Sequence, residues 1–178
     1  MKKIILLIFS IISLIYITNN YSDNENIIPD SAIRFRVVAN SNTIYDQNIK
    51  LQIRNEIQNE LFKLINNSKS IDETRNIINE HREKLYNIVS NKLKELQYDK
   101  DFELTYGLNY FPKKEYKGIT YDEGYYESLV IKLGEGNGDN FWCVLFPPLC
   151  LLEVEESDVD EVEYKFFIKE LIDKYLKK

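Results

Sequence analysis

The residues of this chain that could carry chemistry are concentrated between Gly134 and Cys150. This stretch holds three of the six glycines, two of the four prolines, the single tryptophan and both cysteines. A glycine-rich loop can bind phosphate, but no Gly-Lys-Ser/Thr follows and the next element is predicted to be a strand rather than a helix. The acidic Glu135 and Asp139 would also repel phosphate. The sequence therefore predicts a hairpin loop with positive φ angles, with calcium binding as a minor alternative.

Acid–base catalysis, or a triad containing histidine, would depend on His81, which is the only histidine. His81 lies between Ile78 and Leu85 on the apolar side of a predicted helix, which favours a partly buried structural role. No serine or cysteine stands in a nucleophile-elbow or protease signature, and one histidine with two cysteines matches no zinc pattern. The sequence thus predicts no catalytic set, no metal site and no cofactor.

The two cysteines, Cys143 and Cys150, leave two interpretations open. In an exported chain an even cysteine count favours a disulfide, and Pro147 and Pro148 provide a turn that could return Cys150 toward Cys143. The bridge would close a short loop and contribute about 2 kcal/mol. Two buried free thiols are the alternative.

The N-terminal segment indicates the compartment. A short basic start precedes residues 4–17, an apolar run interrupted by only two serines. This length suits the apolar region of a signal peptide better than a full membrane span, and the basic flank argues against a core helix. No clean cleavage site follows, so residues 1–17 are predicted to be either a signal peptide or an N-terminal membrane anchor. Residues 18–31 are predicted to be a polar tether.

The remainder, residues 32–178, is predicted to form a single α+β domain in the order β-α-α-β-β-β-α. Alternating apolar and polar residues predict four strands, at residues 33–38, 102–110, 126–133 and 141–146. Helical periodicity predicts three helices, at residues 45–65, 70–97 and 162–176. The first strand is predicted to bury one face, with Arg34 and Arg36 on the other. The sheet is predicted to be mainly antiparallel, with the helices against one face.

Charge and composition exclude some classes of function. The formal net charge of −6 leaves no basic excess to neutralise phosphates, which excludes a general nucleic-acid binder. The acidic run at residues 153–161 is predicted to be a solvated link. An exported domain without a catalytic set favours a binding or signalling role over an enzyme.

Four blocks of sequence, taken in order, carry a family likeness: residues 33–50, 110–116, 124–128 and 134–150. They resemble the stage II sporulation protein R (SpoIIR) family of endospore-forming bacteria, over about residues 32–152 and at similar spacing. Arg36 stands where a histidine is expected in that family, and Phe141 where a tryptophan commonly precedes Trp142. Neither departure disturbs the resemblance.

The resemblance implies a specific function. SpoIIR-like proteins are made in the forespore, are exported into the space between the two septal membranes, and act there as a signal. They trigger SpoIIGA, a membrane-embedded aspartic protease of the mother cell, which removes the pro-sequence of the sporulation sigma factor E. The chain is therefore expected to be a secreted or N-terminally anchored ligand of SpoIIGA and no enzyme, with membrane contact through residues 4–17. An exported enzyme acting on the cell wall is the alternative.

Six polar residues are predicted to bind this partner because packing does not explain them. They are Asn40, Ser41 and Asp46 at the first strand–helix junction, and Glu135, Asn137 and Asp139 in the glycine loop. Helix capping explains Asn40 and Ser41 at least as well. Trp142 is predicted to belong to the core because it lies in a strand rather than at a loop tip.

Overall fold

The computed structural model of the chain describes residues 31–116 and 119–149, together with residues 170 and 173–175. The apolar segment at residues 4–17, the acidic run at 153–161 and Cys150 lie outside the described residues. The helix predicted at residues 162–176 is described only at residues 170 and 173–175, which are helical.

The described elements build an α+β domain in nearly the predicted order. In sequence they are β1 (Ile33–Val38), α1 (Ile44–Ile65), α2 (Ile71–Glu80), α3 (Arg82–Glu95), β2 (Phe102–Phe111), β3 (Lys114–Tyr116), β4 (Ile119–Tyr121), β5 (Gly124–Leu133) and β6 (Asn140–Phe146). The predicted fold class is confirmed, and the counts of helices and strands differ slightly from the prediction. The extra strands β3 and β4 pair antiparallel in what was predicted to be a charged connector.

The second predicted helix is divided at His81, which has φ −103° and ψ 9°. The half-buried His81 ring places Nδ1 2.9 Å from the carbonyl oxygen of Ile77. Ile78 and Leu85 are both fully buried, so α2 and α3 present their apolar sides to the same core. The periodicity therefore continues across the break, which is why the sequence predicts one helix where there are two.

The main sheet has the strand order β2-β5-β1-β6. The pairs β2–β5 and β1–β6 are antiparallel and β1–β5 is parallel, with Phe35 opposite Leu129. The sheet is thus mainly antiparallel, as predicted. The prediction of a hairpin between the last two strands is wrong, because β1 lies between β5 and β6. The glycine loop therefore crosses the end of β1 to connect them.

The strand β1 is buried on both faces, so the prediction of one buried face is also wrong. Ile33, Phe35 and Val37 face the helices and are fully buried. On the other face Arg34 is only 4% exposed, and its guanidinium carbon lies 3.4 Å from the centre of the Tyr126 ring. A central strand covered on both sides can hold arginines there because aromatic rings shield them.

The two ends of the sheet carry different structures. At the loop end, β1 and β5 finish, and the glycine loop and the start of α1 meet. At the entry end, β1 and β5 begin, and the described domain starts at Ser31. Arg75 of α2 donates to both carboxylate oxygens of Glu127 at 2.8 Å, which places the start of α2 at the entry end. A rise of about 3.3 Å per residue separates the ends of β5 by about 30 Å.

Candidate partner-binding site

The site begins with the turn that joins β1 to α1, which is organised around the carboxylate of Asp46. Asn40 Nδ2 donates to Asp46 Oδ2 at 2.8 Å and Ser41 Oγ donates to the same oxygen at 2.5 Å. The N-cap residue Thr43 accepts a hydrogen bond from the Asp46 backbone N–H. Burial alone would raise the pKa of Asp46, which is 4% exposed, but hydrogen bonds and the charge of Lys100 hold it below its ordinary value.

The glycine loop is fastened to this turn mainly through backbone groups. The Glu135 N–H donates to the side-chain oxygen of Asn40 at 3.1 Å, and the Asn137 N–H donates to the Asn40 carbonyl at 3.0 Å. The Asp139 N–H donates to the side-chain oxygen of Asn42 at 2.6 Å. Asn40 therefore connects the loop to Asp46, and the two segments form one braced unit.

Two glycines of the loop are required by close packing against the turn. A Cβ on Gly134, which has φ +53°, would lie 2.3 Å from the Asn40 side-chain oxygen. A Cβ on Gly138 would lie 2.3 Å from the backbone carbonyl oxygen of Ser41. The predicted positive φ is confirmed at Gly134. Packing against the turn explains why glycine is needed at both positions 134 and 138. The loop geometry thus follows from its contact with β1–α1.

The six predicted partner-binding residues are brought together at the loop end, where they divide into two groups. The side chains of Asn40, Ser41 and Asp46 bond to one another, and Thr43 rather than Asn40 or Ser41 is the N-cap residue of the helix. Glu135, Asn137 and Asp139 are exposed. The first group positions the loop, and the second group is presented to solvent. Partner binding by any of the six stays a prediction.

Sequence reasoning did not assign Gln47 and Lys50 to the site, although both lie in it. Gln47 Nε2 donates to the Ser41 carbonyl at 2.9 Å. Lys50, only 7% exposed, donates to the Asp139 carbonyl at 3.1 Å. Burial lowers the pKa of Lys50, partly offset by the nearby Asp139 carboxylate. The signal that could have found them is the spacing of Lys50, three residues after Gln47 and four after Asp46, which places it beside both on the first turns of α1.

Two apolar side chains stand beside this unit at the start of α1. Ile44 is 83% exposed and Tyr45 is 52% exposed. The Tyr45 ring lies 6.1 Å from that of Tyr98, whose hydroxyl is 3.5 Å from Asp46. Burial and the Asp46 carboxylate raise the pKa of Tyr98 to about 12, so its hydroxyl stays neutral at ordinary pH. The loop end therefore offers exposed carboxylates next to exposed apolar surface.

Trp142 lies away from this unit, on the sheet face opposite the helices. Its ring is half-buried and its centre lies 5.0 Å from that of Phe111. The Arg36 guanidinium lies 5.7 Å from the Trp142 ring centre. These contacts assign Trp142 to packing within the domain.

Cys143 is disulfide-bonded in the structure. Cys150 lies outside the described residues, so the predicted pairing of Cys143 with Cys150 stays a prediction. We expect the unreduced exported protein to take up no alkylating reagent, and to take up two equivalents after reduction. Intact-mass measurement before and after reduction provides the test, and two alkylated thiols without reduction would refute the bridge.

Neither a metal cluster nor a membrane-spanning helix occurs in the described part of the chain. Among these residues no group of three or more His, Cys, Asp or Glu side chains could hold a metal ion. No helix within the same ranges is long and apolar enough to cross a membrane.

Comparison with known proteins defines the class of this domain. A family model described as stage II sporulation protein R matches residues 29–156. That range contains the whole main sheet, the three described helices and the braced loop end. No solved structure matches the chain significantly.

A particular relative supports the same assignment. Stage II sporulation protein R of Bacillus subtilis (strain 168) is 35% identical over 161 residues, which cover 89% of this chain and 72% of the relative. The chain therefore belongs to the stage II sporulation protein R family. Its function is accordingly related to sporulation.

Proposed function

We propose that this protein is a secreted sporulation signal that activates a membrane-embedded aspartic protease of the SpoIIGA type. The protease would then remove the pro-sequence of sigma factor E. The observation that carries the proposal is membership of the stage II sporulation protein R family over residues 29–156. The apolar N-terminal segment supports it, since a signal that acts between the septal membranes must leave the forespore.

The loop end is the surface that we propose for contact with the protease. Its backbone is braced by Asn40 and Asp46, so little conformational entropy would be lost when a partner binds the exposed Glu135 and Asp139. The exposed Ile44 and Tyr45 lie in the first turn of the adjoining helix and supply apolar contact area. A rigid polar rim beside apolar side chains is the arrangement expected of a recognition surface.

Co-expression in a host that does not sporulate tests the function. The host would produce the protease and pro-sigma E, with and without this protein, and processing would be followed by immunoblot. We expect mature sigma E only when the protein is present and its export is confirmed. Unchanged pro-sigma E despite confirmed export would contradict the proposal. Release of peptidoglycan fragments by the purified protein would instead favour the exported enzyme.

Charge reversal at the loop end tests the proposed surface in the same assay. We expect the double variant Glu135→Lys with Asp139→Lys to lose most processing. The domain should stay folded because both side chains are exposed, with a modest loss of thermal stability because the reversed charge at position 139 lies near the buried Lys50. The matched control is Glu80→Lys with Glu83→Lys, which reverses the same number of exposed charges on α2 and α3. Equal processing by both double variants would place the contact elsewhere.

A further inference from the structure

A second exposed surface lies at the entry end, about 30 Å along β5 from the glycine loop. It consists of Leu108, Tyr110 and Tyr125, which are 73%, 48% and 71% exposed. Tyr110 and Tyr125 are directly opposite one another in the β2–β5 ladder, and their ring centres are 5.6 Å apart. Leu108 pairs with Glu127, the next position along the same face. We call these three residues the entry-end patch.

Packing among the described residues does not account for the entry-end patch. The same face of β2 and β5 is covered by helices farther along, where Leu129 and Ile131 are fully buried. At the next position on this face, Glu127 pairs with Arg75 of α2. From this pair onward, β2 and β5 keep the alternation of strands with one apolar face. The side chains on that face, Leu108, Tyr110 and Tyr125, are nevertheless exposed to solvent. Large apolar side chains grouped in this way mark a surface that meets another apolar environment.

The position of the patch indicates what that environment is. The described chain begins at Ser31, and β1 starts beside it with Arg34 opposite Ser128 of β5. Only β5 separates β1 from β2, so the chain enters the domain about 10 Å across the sheet from Leu108. The thirty preceding residues contain the apolar run at 4–17. Since the predicted tether at residues 18–31 joins the two, a membrane that holds this run would lie within about 50 Å of the entry end, the reach of the fully extended tether.

Most charged groups around the patch are engaged by neighbours within the domain, but carboxylates outnumber basic groups because Asp72 also pairs with Arg75. Arg75 pairs with Glu127 at 2.8 Å, and Lys113 lies 4.0 Å from Asp122. The Tyr110 hydroxyl donates to Glu123 at 3.0 Å. A net charge of −6 for the chain gives no general attraction to anionic lipid. Tyrosines beside a leucine suit the boundary between lipid headgroups and acyl chains, and the acidic surroundings favour neutral over anionic lipid.

We infer that the entry-end patch docks on the lipid bilayer that holds the N-terminal segment. Docking restricts the orientation of the domain and leaves the braced loop end, about 30 Å along β5 from the patch, free of the docked surface. The inference rests on the part of the proposed function that places residues 4–17 in a membrane, and it does not depend on activation of the protease. A ligand held in this way would present its loop end across the intermembrane space.

Hydroxyl-radical footprinting of the full chain in vesicles tests the inference. The vesicles contain phosphatidylethanolamine and phosphatidylglycerol, and flotation confirms that the chain is bound. The internal references are Tyr45 and Tyr86, 52% and 47% exposed, on the half of the domain nearer the loop end. We expect Tyr110 and Tyr125 to be oxidised several-fold more slowly than these references. Oxidation of Tyr125 at least as fast as Tyr45 in bound protein would overturn the inference.

Variants and lipid composition separate lipid from other occupants. In the double variant Leu108→Ser with Tyr125→Ser, oxidation of Tyr110 should rise toward that of Tyr45, whereas Tyr86→Ser should leave Tyr110 protected. Protection should persist in phosphatidylcholine alone, because apolar contact rather than charge carries the docking. If protection of Tyr110 and Tyr125 from oxidation increased with the number of chains per vesicle, a second copy of the chain would be the occupant of the patch. That result would refute lipid docking. The assay contains no protease, so its outcome is independent of the activation experiment.

Discussion

Replacing Asp46 by alanine is expected to lower the free energy of unfolding by about 2–4 kcal/mol, because partly buried donors lose their charged acceptor. Asn40 and Ser41 both donate to this carboxylate, and Asn40 in turn holds the glycine loop. The substitution also removes an acidic residue from the first turn of α1, where it interacts favourably with the helix dipole. Equilibrium urea unfolding, followed by the fluorescence of Trp142, measures the change.

The matched control for Asp46 is Asp139→Ala in the same unit. Asp139 is exposed and contributes its backbone N–H and carbonyl to the brace, so removal of its side chain should cost less than about 1 kcal/mol. Equal losses for the two variants would show that the Asp46 carboxylate does not organise the turn.

The pH dependence of stability provides a second readout at Asp46. Its pKa in the folded protein lies below the ordinary value, so the unfolded chain binds the proton more tightly. The stabilisation is therefore fully present above about pH 4 and is lost as pH falls through the folded pKa. Asp46→Asn should flatten the decline of stability with falling pH relative to the wild type. An unchanged slope in acid would contradict the assignment.

Replacing Gly138 by alanine is expected to destabilise the protein by about 2–3 kcal/mol, because overpacking against backbone cannot be relieved by a rotamer change. The added Cβ would meet the Ser41 carbonyl oxygen at 2.3 Å. The loop and the β1–α1 turn would have to separate, which would weaken the bonds from Asn137 and Asp139. The same urea experiment, with amide hydrogen exchange at the loop, reports both effects.

Gly124→Ala is the control for Gly138→Ala. A Cβ at Gly124 would lie 3.4 Å from the Tyr126 ring, which is an ordinary contact, and its backbone needs no positive φ. We expect a change of less than about 1 kcal/mol there. A Gly138→Ala variant as stable as Gly124→Ala would mean that the loop is not packed on the turn.

Local sequence patterns were sufficient for most elements of this fold. The alternation of Leu104, Tyr106 and Leu108 predicted β2, and the periodicity from Ile49 to Leu61 predicted α1. Such patterns report which side of a segment is apolar. They do not report which strands become neighbours, so the insertion of β1 between β5 and β6 was not predicted.

The candidate site shows the same division between local and long-range information. The residue types at Asn40, Ser41 and Asp46 indicated a capped strand–helix junction, and Gly134 indicated positive φ. Their contact across the turn and the loop depends on the parallel pairing of β1 with β5, which joins segments about ninety residues apart. The packing of Gly138 and the contact of Lys50 with Asp139 follow only from that pairing, so no local pattern could show that either residue contacts its partner segment.

The entry-end patch was also missed for a physical reason. Leu108 and Tyr110 continue the alternation of β2, and a continuous pattern predicts that every apolar position is buried. The strand pair is fully buried on this face at Leu129 but exposed at Leu108 and Tyr110. Where a helix layer stops is a tertiary property, so the exposed continuation becomes visible only in the folded domain.

The most direct test of the central claim is the conversion of pro-sigma E to sigma E in a non-sporulating host that makes the SpoIIGA-type protease. The ligand account predicts conversion when this protein is exported and none when it is omitted. It also predicts loss of conversion in the Glu135→Lys, Asp139→Lys variant and retention in the Glu80→Lys, Glu83→Lys control. Confirmed export of the wild-type protein without any conversion would contradict the account.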